Sequence, residues 1–111
     1  MAATGKRSFW GRLLRINLST RSTREEELRE KDFALYIGGR GLGAALLYRE
    51  LPPGIDPLGP ETKLIFVTGP LVGTSAPSSS KYVIVTKSPL TGIYLMSISG
   101  RYFAAELKKT G

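Results

Sequence analysis

The ten residues Leu51 to Pro60 hold four prolines and two glycines, a density that neither a continuous helix nor a central strand tolerates. They form a turn-rich connection that divides the chain into two halves. The connection is too short and too apolar to separate independent domains, and with 111 residues the chain is at most one domain. Each half must therefore supply elements to a shared core.

After the connection, Lys63 to Val67 reads as a buried strand ended by Thr68-Gly69-Pro70, and Thr74 to Ser80 is a small-residue loop. Ser78-Ser79-Ser80 is either a mobile surface loop or a set of hydroxyl donors near an anionic ligand. Tyr82 to Thr86 is β-branched and aromatic, turns at Ser88 to Gly92, and returns as Ile93 to Ile98. Phe103 and Leu107 then stand four apart, as one face of a helix requires. A strand thus delivers the chain to a helix start at Ser99-Gly100-Arg101. Ser99 can cap, Gly100 permits close approach of a ligand, and Arg101 adds a cation to the free N–H groups of the first turn. Such a start suits phosphate, and it equally suits an ordinary solvated helix end.

Before the connection, Phe33 to Leu51 reads as one helix with glycines at its centre. Gly39-x-Gly41-x-x-Ala44 matches a relaxed dinucleotide fingerprint, which asks for a strand at Phe33 to Ile37 and an acid at the end of the next strand. The strand at Lys63 to Val67 ends without that acid. The alternative is that the glycines let the helix pack closely on its neighbours, with Arg40 free to bind something acidic. Leu14, Ile16 and Leu18 alternate with Arg15 and Asn17 in the period of a half-buried strand, while Trp10, Leu14 and Leu18 also fit a helical stripe. The charged run from Arg24 to Asp32 is a solvated strand end or helix start, with Glu27 and Lys31 spaced for a helical pair. Residues 1–24 contain six Lys or Arg and no acid, a composition that overlaps that of a transit peptide.

The chain contains no cysteine and no histidine. By itself it forms no disulfide, thiolate zinc site, iron–sulfur cluster or Cys/Ser–His dyad. A formal charge of +7 favours an anionic partner: nucleic acid, an anionic membrane, an acidic protein or a phosphorylated cofactor. The basic residues are scattered and carry no stacking motif, which weighs against a small nucleic-acid-binding module. No stretch of 18 apolar residues is present to span a membrane.

The words of the sequence say more than its spacings. Trp10-Gly11-Arg12, Gly38-Gly39-Arg40-Gly41-Leu42, Asp56-Pro57-Leu58, Glu61-Thr62-Lys63-Leu64-Ile65, Gly69-Pro70-Leu71, Gly73-Thr74-Ser75-Ala76-Pro77, Lys87-Ser88-Pro89-Leu90-Thr91-Gly92 and Tyr102-Phe103-Ala104-Ala105-Glu106-Leu107-Lys108 follow in order. Together they resemble the N-terminal domain of the tungsten-containing aldehyde ferredoxin oxidoreductases, from about Trp10 to Gly111.

The resemblance implies an α+β fold: a β-sheet base with an N-terminal hairpin, a central helix and a C-terminal helix, with residues 1–8 a flexible N-terminus and 9–111 a partial domain. It assigns Trp10 to Thr20 to the opening strand. It implies a cytoplasmic enzyme that oxidises aldehydes to carboxylic acids through a tungsten bis-pterin (molybdopterin-type) cofactor, with electrons passing through a 4Fe–4S cluster held elsewhere to ferredoxin. The cofactor contacts it implies here are Lys81 and Gly100, joined by Ser99 and Arg101 from the helix start, with no catalytic base and no metal ligand. Lys81 stands where the family typically has arginine, Ile98 where it has asparagine and Arg101 where it has glycine. These departures leave a divergent subfamily, a degenerate paralogue or a fragment. The expected partner is the remainder of the oxidoreductase, and the isolated chain is expected to have no turnover.

Overall fold

The computed structural model describes residues 11–111. Trp10 and the expected flexible segment at residues 1–8 lie outside that range. Strands β1 (Arg12–Asn17) and β2 (Ser22–Glu27) pair antiparallel, with Leu14 opposite Glu25 and Arg15 opposite Arg24. Their turn is set by Asn17, whose Oδ1 accepts from the backbone N–H groups of Ser19 and Thr20 at 3.0 and 3.1 Å, an Asx turn. The N-terminal segment is thus a strand, as the resemblance implied. Its alternation has an unexpected outcome, because Leu14, Ile16 and Leu18 are 57%, 60% and 85% exposed. The apolar face of the hairpin is uncovered among the described residues.

The single helix expected over Phe33 to Leu51 is two: α1 (Glu30–Tyr36) and α2 (Gly39–Glu50). Between them Ile37 takes φ 66°, ψ −54°, and Gly38 N–H donates to the Tyr36 carbonyl at 2.7 Å, which closes a γ-turn. Glycines allow the break: a Cβ on Gly38 would sit 3.2 Å from the Thr68 carbonyl oxygen, and one on Gly41 2.9 Å from that of Tyr36. Because Phe33 to Tyr36 is helical, the strand that a dinucleotide fingerprint needs is absent. That reading is overturned, and the close-packing reading stands. Glu27 lies in β2 and Lys31 in α1, so their helical pair does not form.

Helix α2 crosses a three-stranded antiparallel sheet of β3 (Ile65–Thr68), β4 (Lys81–Lys87) and β5 (Tyr94–Gly100), in the order β3-β4-β5. The first strand begins two residues later than its apolar run suggests. Leu42 and Leu46 of α2 pack on Val67 to make the core, with Leu28, Phe33 and Ile65 around it. The β4–β5 turn is held by Ser88, whose Oγ accepts from the N–H groups of Leu90 and Thr91 at 3.2 Å, and Gly92 takes a φ of 72°.

Helix α3 (Tyr102–Lys109) follows β5 directly. Its buried residues are Ala104 and Lys108, while Phe103 is 52% exposed. The expected face does meet the sheet, because the Phe103 ring packs edge-on against Tyr82 and Phe66 at centroid distances of 4.9 and 6.5 Å, beside the buried Ala104 and Lys108. Lys108 buries its stem and donates from Nζ to the Gly69 carbonyl at 2.7 Å, an arrangement open to a long amphipathic side chain. The fold is mixed α and β, as expected. No described helix is long and apolar enough to cross a membrane.

Candidate functional site

The β4–β5 ladder brings two of the four expected contacts together: Lys81 is the cross-strand partner of Gly100. Directly opposed residues share one face of a sheet, so Val83 and Ile98, the next-but-one pair, lie on that face as well. It is the face covered by α2, because a Cβ on Gly39 would meet Cγ2 of Val83 at 3.8 Å. The first turn of α2 therefore stands over the Val83–Ile98 pair of the ladder. Tyr94, at the other end of the ladder opposite Lys87, reaches the same turn from β5, its hydroxyl donating to the Arg40 carbonyl at 3.3 Å. Burial raises the Tyr94 phenol above its usual pKa, against the opposing pull of the Arg40 charge.

Ser99 departs from its expected role. It lies inside β5 opposite Tyr82, on the other face of the sheet from Gly100, and no side chain caps α3. The N-cap is Arg101, at φ 71° and ψ −158°. Only glycine adopts this region at low cost. The position is fixed by Ser80, whose Oγ donates to the Arg101 carbonyl at 2.5 Å. Ser79 Oγ likewise donates to the Ala76 carbonyl at 2.9 Å. Both hydroxyls are thus spent on shaping the loop and its junction with α3 rather than left as donors for a ligand.

Many of the cations are already paired. Arg12, Arg15, Arg24, Arg29, Arg49, Lys63 and Lys109 all face carboxylates. Arg15 donates to both oxygens of Glu50, at 2.8 and 2.5 Å, and pairs with Glu26 at 2.9 Å. These bonds raise the pKa of Arg15 and lower that of Glu50. Asp32, 2% exposed, is gripped by Arg49 and Arg29 and titrates below its usual range. By contrast Arg40, Lys81 and Arg101 face no carboxylate among the described residues, and neither do Arg21, Lys31 and Lys87. Lys81 and Arg101, at this β-ladder end and the helix start that follows it, place two cations where an anionic ligand could bind. Among the described residues no group of three or more Cys, His, Asp or Glu is placed to hold a metal.

Sequence reasoning missed the Asp32 and Glu50 clusters. Arg49 and Arg15 lie 17 and 35 residues from Asp32 and Glu50 along the chain, beyond any local spacing rule, while Arg29 stands three residues before Asp32.

This mixed fold, with an antiparallel sheet, a glycine-rich crossing helix and a basic ladder end, is that of a known family. The family model for the aldehyde ferredoxin oxidoreductase N-terminal domain matches residues 13–111, and the chain belongs to that family. It is 54% identical over 102 residues to the tungsten-containing aldehyde ferredoxin oxidoreductase of Thermococcus kodakarensis, covering 92% of this chain and 17% of the relative. Against the same enzyme of Pyrococcus horikoshii the identity is 52% over 103 residues, again covering 17% of the relative's length. An aliphatic sulfonate oxidoreductase, WOR-like subunit, of Pyrococcus furiosus is 38% identical over 107 residues. Among solved structures, the active site complex BamBC of benzoyl coenzyme A reductase superposes with a TM-score of 0.91 at 35% identity. That match covers 94% of this chain and 16% of the other. The chain thus spans about a sixth of the length of the relatives it matches.

Proposed function

We propose that this chain supplies part of the surface on which a tungsten bis-pterin cofactor lies in an aldehyde:ferredoxin oxidoreductase, with Lys81, Gly100 and Arg101 as the contacting residues. The observation that carries the reading is the Lys81–Gly100 cross-strand pair, with Arg101 next along the chain at the start of α3. A pterin is flat and its phosphate is anionic. Gly100 offers backbone without a side chain, and Lys81 and Arg101 offer charge. Ser99 is left out, because its side chain belongs to the opposite face.

When bound, the cofactor supplies the redox centre of the parent reaction, the oxidation of an aldehyde to a carboxylic acid. This chain's own residues bind and orient. Lys81 places a point charge where the family's arginine would offer a planar fork, so it holds a phosphate oxygen without bridging it to the ring. Ile98, 54% exposed on the same face, offers an apolar surface in place of an amide. No residue here is assigned a proton-transfer role, so turnover requires the remainder of the oxidoreductase, which also carries the 4Fe–4S cluster and the docking site for ferredoxin in a cytoplasmic enzyme.

The test is the cofactor content of the assembled enzyme. Lys81→Ala and Arg101→Ala each lower the pterin and tungsten recovered with purified protein, whereas the exposed Arg21→Ala does not. Full pterin and tungsten content in a Lys81→Ala, Arg101→Ala double variant would refute the assignment.

A further inference from the structure

Two side chains hold one loop against one helix. The loop covers residues 69–80, from the end of β3 to the start of β4, and both ends of α3 are tied to it. At the start of the helix, Ser80 Oγ donates to the Arg101 carbonyl. In its last turn, Lys108 Nζ donates to the Gly69 carbonyl at 2.7 Å, which compensates an ammonium that burial disfavours. The Lys108 stem also lies against the loop, since a Cβ on Gly73 would meet its Cγ at 3.7 Å.

Between these two ties the loop has little slack. The N–H groups of Val72 and Thr74 donate to the Gly69 and Leu71 carbonyls at 3.3 and 3.2 Å, and Val72 is buried. The Thr74 hydroxyl donates to the Leu71 carbonyl at 2.6 Å and accepts from the Ala76 N–H at 3.2 Å. Ser79 Oγ continues the series to the Ala76 carbonyl at 2.9 Å. A displacement at Gly69 is thus passed along short internal bonds to Ser80.

The two cations of the ladder end stand directly beside this clamp. Lys81 follows Ser80 in the chain and is fixed by its pairing with Gly100. Arg101 lies past the end of that ladder, and no side chain caps the helix it starts. Its φ of 71° and ψ of −158° persist in a residue with a side chain only where the surroundings over-determine them. The Ser80 hydroxyl supplies that hold from outside the helix.

We propose that Ser80 is a positioning residue for cofactor binding, acting through Arg101, with Lys108 as the second anchor of the same clamp. This role rests on the cofactor reading above, in which Lys81 and Arg101 contact the anionic group. The clamp adds no contact of its own. It holds the Arg101 guanidinium in a fixed relation to the Lys81 ammonium, so that a bound anion meets both charges in one arrangement. Without the Ser80 hydroxyl the strained backbone relaxes and that arrangement is lost.

The test is the rate at which tungsten is lost on dialysis of the loaded enzyme, with this chain assembled with the remainder of the oxidoreductase. Ser80→Val is compared with Ser80→Thr, which has the same shape and keeps a hydroxyl. The valine should speed the loss about 5-fold, as removal of one hydrogen bond does, and the threonine should leave it unchanged. A residue that acts through Arg101 has nothing to act on once the guanidinium is gone. Ser80→Val added to Arg101→Ala should therefore speed the loss no further than Arg101→Ala alone. A general loosening of the fold would multiply the two effects instead, and that result overturns the proposal. Lys108→Met keeps the stem and removes the ammonium; it should speed the loss as well, and an unchanged rate removes Lys108 from the clamp. Should Ser80→Val not fold, Ser80→Gly removes the hydroxyl without adding bulk and is held to the same outcomes. If Arg101→Ala itself loses tungsten no faster than the unsubstituted enzyme, the cofactor reading fails and this role with it. If Arg101→Ala loses it faster and Ser80→Val does not, the clamp alone fails.

Discussion

A Cβ placed on Gly43 of α2 would lie 2.8 Å from Cγ2 of Val85 and 3.3 Å from Cγ2 of Val67. The helix therefore rests on the sheet at a distance that only a hydrogen side chain permits. Val85 is fully buried and cannot step aside without disturbing β4, so Gly43→Ala forces α2 outward. Overpacking of this kind costs about 1–3 kcal/mol. The expected result is a lower midpoint in urea with an unchanged slope. Gly54→Ala is a useful control for the space argument, since nothing lies within 4 Å of a Cβ there, although its φ of 78° adds backbone strain of its own.

Arg101 presents the opposite case, a side chain where glycine belongs. Its φ of 71° and ψ of −158° cost a non-glycine residue on the order of 1–3 kcal/mol, part of which glycine returns through the entropy of the unfolded chain. Arg101→Gly should raise stability by roughly 1 kcal/mol, while Arg101→Ala, which keeps the strain, should leave it nearly unchanged. Thermal melts of the two variants separate backbone strain from loss of charge. If Arg101→Ala proves as stabilising as Arg101→Gly, the strain assigned to this position is wrong.

The hairpin is tied to the body of the fold through the Arg15–Glu50 pair, two parallel bonds at 2.8 and 2.5 Å. Bidentate geometry makes such a pair stronger than a surface ion pair. Arg15 and Glu50 keep 31% and 20% side-chain exposure, so water weakens the pair. Glu50→Gln should destabilise by about 1–2 kcal/mol. The effect should be local: amides of β1 and β2 exchange faster while those of β4 do not. Uniform acceleration across both sheets would show that the pair supports the whole fold instead.

Much of the architecture was legible because local signals agreed with the final structure. The Ser88 to Gly92 turn, the β-branched run at Tyr82 to Thr86 and the proline-rich connection each act through nearby atoms. Three things were not legible, each for a physical reason. Residue periodicity cannot tell that Leu14 and Ile16 stand uncovered, since the pattern says which face is apolar and not whether anything covers it. The break at Ile37 depends on how closely Gly38 approaches Thr68, a tertiary distance. At the ladder end, the Lys81–Gly100 pairing follows from strand register, which the Ser88 to Gly92 turn sets; the helix start was placed at Ser99 because a serine before a glycine imitates a cap. Family resemblance supplied the fold that composition alone left open.

Asp32 gives a pH dependence whose sign can be worked out. Arg49 first, and Arg29 second, hold its carboxylate below the usual pKa, against the opposing effect of burial. Below its folded pKa the acid is protonated in both states and the advantage is gone; above its unfolded value, about 4, the advantage is complete. Stability from Asp32 is therefore present at neutral pH and is lost as pH falls from about 4 through the folded pKa. Asp32→Asn keeps the shape, removes the charge and leaves two guanidinium groups without their carboxylate. Because both guanidinium groups reach solvent, the expected loss at pH 7 is moderate, about 1–2 kcal/mol. The diagnostic measurement is the difference in unfolding free energy between the two proteins from pH 7 to pH 2. That difference should shrink towards the acid end, and a difference that stays constant across the range would remove the ion cluster as its cause.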